Sequence, residues 1–135
     1  MPAEIVDRLP AAVAQARSDL APGDAGEVLA ALTTLASRRG FPLPDDIALE
    51  MDVEVMAGWP RDLWRKAFRA VWEQFAYRRL PEVADFRKHI AADLEERRSR
   101  LDRLAVVVNH RLGLIRLRLN KPPMTPHISA INRFL

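Results

Sequence analysis

The strongest apolar period in the chain lies between Pro60 and Phe75. Leu63, Trp64, Ala67, Phe68, Val71, Trp72 and Phe75 recur at i, i+3 and i+4, with Arg61, Arg65, Lys66, Arg69 and Glu73 between them. The spacing predicts a helix with Pro60 at or near its first position, where a missing N–H does no harm. Its stripe is the expected centre of the core. Trp59 and Tyr77, at the two ends of this segment, are expected on the surface.

Upstream, Ile5, Leu9, Val13, Ala16 and Leu20 also follow a helical period. Pro10 would kink a continuous helix, so the helix is expected to start there and to end at Pro22-Gly23. Asp24, with Glu27 three residues on, reads as an N-cap with its capping-box partner. The helix it opens runs through Arg39 on the face Val28, Leu29, Leu32, Leu35 and Ala36. Gly40 supplies the stop, and residues 41–44 are extended because each proline excludes the helical region for its predecessor. Asp45 and Asp46 suit an N-cap and first turn. Ile47, Met51, Val55 and Met56 then predict a third helix closing at Gly58, although the alternation across residues 51–55 also fits a short strand.

After the break at Leu80-Pro81, one period close to 3.6 runs from Glu82 through Val83, Phe86, Ile90, Leu94, Leu101, Leu104, Val108, Leu112, Ile115 and Leu119, with a polar interruption at Arg97. A helix of that length would project beyond a small domain as an arm or a pairing surface. Residues 105–119 are open between helix and strand, since Val106-Val107-Val108 and the Leu/Arg alternation at 115–119 favour β structure and Gly113 is a weak point. The expected fold is therefore all-α. It is a compact bundle of four to five helices over residues 1–96, followed by a long basic C-terminal helix or arm with a Pro-containing tail over residues 97–135. In that tail Ile128, Ile131, Phe134 and Leu135 could form an amphipathic turn that docks on a core or a partner.

Charge sharpens this division. Residues 1–56 carry 4 basic and 10 acidic side chains, residues 57–96 carry 8 and 7, and residues 97–135 carry 9 and 1, within a chain of 135 residues and net charge +3. Arg97, Arg98, Arg100, Arg103, Arg111, Arg116, Arg118 and Lys121 are the candidate contacts for a nucleic acid or an acidic protein. On a helix they wrap around the axis, which suits backbone contact better than base readout. The chain has no cysteine, hence no disulfide framework and no thiolate ligands, and this favours a cytoplasmic, reducing setting. No stretch approaches the ~20 apolar residues that span a bilayer, so no membrane partner is expected.

Catalytic signatures are absent from the sequence. Residues 22–26 lack the Lys-Ser/Thr of a phosphate loop, and Ser18, Ser37, Ser99 and Ser129 have no nucleophile-elbow context. Asp85, His89 and Asp93 at i, i+4 and i+8 could face a cation, but pairing with Arg and Lys neighbours is the expected role. No enzyme activity, cofactor or metal is expected.

The order of motifs resembles a known group. Gly40, then Gly58-Trp59-Pro60-Arg61-Asp62, then Ala67-Phe68-Arg69-Ala70-Val71-Trp72, then Leu80-Pro81-Glu82-Val83-Ala84-Asp85-Phe86 is similar to small phage and prophage proteins related to replicative-helicase loaders and inhibitors. The likeness covers residues 25–95. It implies a helical scaffold and a C-terminal region that engages a hexameric replicative helicase. The long basic C-terminal segment departs from that pattern and leaves helicase, DNA or a second copy of the chain as its partner. An alternative is inhibition of a nucleic-acid-handling enzyme, with Asp45, Asp46, Glu50, Asp52 and Glu54 mimicking phosphates; another is a self-associating DNA-binding structural protein.

Overall fold

The computed structural model describes the backbone of residues 3–120 and the side chains of residues 8–113. The protein is all-α. Its helices are α1 (Ala3–Ser18), α2 (Ala25–Arg39), α3 (Asp46–Ala57), α4 (Arg61–Gln74), the short α5 (Val83–Arg87) and α6 (Ala91–Asn120), with no strand among the described residues. The strand alternative for residues 51–55 and the open assignment of residues 105–119 both resolve to helix.

Local chemistry sets the boundaries. Asp24 caps α2 by accepting from the Gly26 N–H at 3.0 Å, and Asp45 caps α3 by accepting from the Ala48 N–H at 2.9 Å. The expected capping box at α2 does not form in full, because both Glu27 carboxylate oxygens are taken by Arg61 and Arg65 of α4. Gly40 ends α2 at φ 74°, and the Phe41 N–H returns to the Ala36 carbonyl at 3.1 Å, the 6→1 bond of a Schellman motif. Pro10 does not begin α1 but sits inside it, exposed at the edge of the groove that α1 shares with α6.

The period after Leu80 is divided at residues 88–90. Their N–H groups bond three or four residues back, to Ala84, Phe86 and Arg87, so that α5 and α6 are separate helices. Five helices thus precede the long C-terminal one, within the four to five expected. The turn keeps Phe86 and Ile90 fully buried and still brings Leu94 into the core.

The main core joins α2 to α6. Val28, Leu32 and Leu35 meet Met56, Trp59, Leu63, Trp64, Ala67, Val71 and Phe75, closed by Phe86, Ile90 and Leu94. Each large side chain here contributes about 1.5–3 kcal/mol by leaving water. Trp59 departs from expectation: it is 4% exposed, since the turn into α4 tucks its ring inward under Arg87. Tyr77 is exposed, as expected, and touches Phe75 edge-on.

In α3 the inward row is Met56, which is buried, with Leu49 and Val53, which are partly buried against the core; of the residues that predicted the helix only Met56 turns inward. Ile47, Met51 and Val55 point outward with exposures of 73%, 62% and 43%. Both rows have helical spacing. Leu43, just before α3, packs on the same core as the inward row.

Helices α2 and α4 run side by side in the same direction. Glu27 meets Arg61 and Arg65 at their starts, while Arg38 lies 4.7 Å over the Trp72 ring and Arg39 donates to the Phe75 carbonyl at their ends. α3 returns between those levels, and its end is held where the Gly23 N–H donates to the carbonyls of Ala57 (2.9 Å) and Trp59 (3.0 Å). α1 has α6 as its principal neighbour. Its buried residues Leu9, Val13 and Ala16 stand apart from the main core.

Candidate partner-binding surface

α6 is clamped at its base and carried outward by α1. The Lys66 ammonium meets Asp93 at 2.7 Å. One turn on, Arg97 grips both Asp62 oxygens in a bidentate pair and also donates to the Asp19 carbonyl at 2.8 Å. Asp62 lies at the start of α4 and Asp19 just after α1, so one guanidinium ties three helices at one level. The Arg97 contact holds the Asp62 carboxyl below the usual carboxylate range and raises Arg97 in turn.

Beyond Arg97, α6 continues for about 35 Å at 1.5 Å per residue. α1 lies antiparallel against it: Asp19 is level with Arg97, and Leu9 and Val13 share a groove with Val108 and Leu112. Past Leu94 no described side chain of α6 is fully buried; Leu101, Leu104 and Val108 are half-buried. This is what a two-helix stalk leaving a larger body produces.

The predicted basic residues separate accordingly. Arg97 faces the body and serves as the clamp. Arg98, Arg100 and Arg111 are exposed and make no ion pair with another described residue, whereas Arg103 reaches Glu96 on the same helix at 3.4 Å. Arg116 and Arg118 lie on the α6 backbone with their side chains outside the described set. Lys121, Ile128, Ile131, Phe134 and Leu135 lie outside the described residues altogether.

Asp85, His89 and Asp93 do not converge. The Asp85 carboxylate accepts from Arg79 at 2.7 Å and from the Glu82 N–H, which holds it below the usual range, Asp93 belongs to Lys66, and His89 lies in the turn between α5 and α6. Among the described residues no group of three or more His, Asp or Glu is arranged to hold a metal. No described helix is long and apolar enough to cross a membrane.

One surface escaped the sequence reading, and a second was visible there by its acids but not by its exposed apolar row. Phe68 and Trp72, expected in the core, are half-buried and line a groove of about 650 Å³ between α2 and α4, flanked by Trp64, Thr34 and Arg69. The second is the outer face of α3. Beside its apolar row runs an exposed acidic row, Asp46, Glu50 and Glu54. Asp52, half-buried on the other flank, is raised above the usual range by burial and by Glu82. A second apolar row, of the same type as the first, was the available signal for this face.

No protein-family model, curated protein or solved structure matches the chain.

Proposed function

We propose that the protein is a non-catalytic binding protein whose stalk is its partner-facing part. In the narrower form that the resemblance suggests, it is an accessory factor of phage-type DNA replication that engages a hexameric replicative helicase, its DNA, or both. One observation carries this reading: Arg98, Arg100 and Arg111 stand exposed on a helix that α1 holds clear of the body. A cationic helix presented in this way fits phosphate backbones and acidic protein surfaces and requires no pocket.

The test is capture by an immobilised hexameric helicase, together with fluorescence anisotropy on labelled single- and double-stranded DNA. The full chain is expected to bind at least one of them. Arg98→Glu with Arg111→Glu should abolish that binding while leaving the thermal melt unchanged. For duplex DNA each lost phosphate contact should flatten the log–log salt slope by about 0.9. Binding to neither probe, or binding indifferent to the double charge reversal, defeats the reading. A charge variant serves better than truncation after Glu96, which would strip α1 of its apolar partner.

The exposed acidic row of α3 supports a second reading, inhibition of a nucleic-acid-handling enzyme by phosphate mimicry. Reversal of Glu50 and Glu54 would remove such inhibition and leave helicase capture intact.

A further inference from the structure

α3 is apolar on two opposite faces. Leu49, Val53 and Met56 enter the core, and Ile47, Met51 and Val55 form a second row at i, i+4 and i+8 in water. Leu29 of the adjoining α2 is also exposed, at 42%. An apolar row turned to water on a helix already packed by its other side is an exposed stripe of the kind that marks an interface.

Charge narrows what covers it. The acidic row Asp46, Glu50 and Glu54 adjoins the stripe along its length. Two copies of α3 packed stripe to stripe would bring these carboxylates together, and like charges across an interface are unfavourable. The required surface is a helix face with apolar side chains among cations. Among the described residues α6 comes nearest: Val106 is 67% exposed and Val107 half-buried, with Arg103 one turn before both and Arg100 one turn further back, although Asp102 also flanks Val106. The Arg103–Glu96 contact is long, and both side chains are more than 60% exposed, so Arg103 is available to a stronger partner.

Within one molecule the two faces do not cover each other: Ile47, Met51 and Val106 are all exposed, and α3 packs on α2, α4 and α5 while α6 packs on α1. Val106 lies nine residues beyond Arg97 along the stalk, about 14 Å past the clamp. We propose that the outer face of α3 packs on the outward face of α6 of a second copy, and that the reciprocal contact closes a two-fold dimer. Each protomer gives both an acidic and a basic helix, so one rotation satisfies both pairs.

The full chain, without DNA or other protein, is expected to sediment as a concentration-dependent dimer that weakens as salt is raised. Met51→Glu should weaken it by roughly tenfold or more with an unchanged melt, since Met51 touches no core residue. Glu50→Lys with Glu54→Lys should weaken it by a similar factor, as should Arg100→Glu with Arg103→Glu, and mixing the two charge-reversed chains should restore a heterodimer, because both of its α3–α6 contacts then pair opposite charges. A monomer at every concentration overturns the proposal and assigns the stripe to a different protein. A dimer indifferent to Met51→Glu overturns the α3 face, and failure of the mixed charge-reversed chains to pair overturns α6 as its counterpart. Because no helicase or DNA is present, these outcomes are independent of the partner reading above.

Discussion

Arg97 and Asp62 join the base of α6 to the first turn of α4 by a bidentate pair, and the same guanidinium takes the Asp19 carbonyl. An arginine in the basic third of the chain is thereby a structural tie. Arg97→Ala should lower stability by about 1 kcal/mol in urea unfolding, a figure reduced for the exposure of Asp62. Arg97→Lys keeps the charge but not the planar fork and should recover less than half of that loss. Arg98→Ala should stay within about 0.5 kcal/mol of the natural chain.

Pro10 deprives α1 of one internal hydrogen bond at an exposed position. Pro10→Ala should stabilise α1 by about 1–3 kcal/mol, the range set by how far the kink already relaxes the clash. Amide exchange should slow in α1 and along the distal half of α6, and less in α2 to α4, because α1 contacts α6 and not the main core.

Acid should loosen the same joints. Asp62, Asp85 and Glu27 are each held below their ordinary range, Asp62 by Arg97, Asp85 by Arg79 and Glu27 by Arg65 and Arg61. Lowered native values mean that the stabilisation is full above the usual carboxylate range near 4 and disappears as pH falls through the lower native values. The urea midpoint should therefore drop below about pH 4, and Asp62→Asn should flatten that slope. Asp52 has the opposite sign, because its native value is raised. Asp52→Asn should raise the midpoint slightly at neutral pH, with the gain vanishing in acid.

Two glycines should respond oppositely to alanine. Neither Gly40 nor Gly113 has an atom within 4 Å of an added Cβ, so only backbone conformation matters. Gly40 is left-handed, and Gly40→Ala should cost about 1 kcal/mol. Gly113 lies in α6 without a positive φ, and Gly113→Ala should stabilise that helix by about 0.5–1 kcal/mol. Thermal melts of both variants check the pair of signs.

The helical class and the caps at Asp24, Asp45 and Gly40 were legible because each depends on neighbours in sequence. The stripe from Leu63 to Val71 was legible because one face of α4 is apolar and the other charged. What was hidden required tertiary knowledge. In α3 two apolar rows compete, and only the packing of Leu49, Val53 and Met56 against the core shows which one enters it. Trp59 is buried in a turn whose carbonyls accept from the Gly23 N–H, a pairing over many residues that no local pattern reveals. The basic third was visible as a charge excess, but that Arg97 is a clamp while Arg98 meets water depends on where Asp62 and Asp19 lie.

The pairing of α1 with α6 also has a mechanical meaning. With its polar ties at one end, a two-helix rod of this kind would tilt about the level of Arg97, and a tilt of about 10° there would swing the far tip by about 6 Å. A ligand gripping the tip would thus gain leverage on the joint at Asp62, and loosening that joint would change how far the tip can search for a ligand.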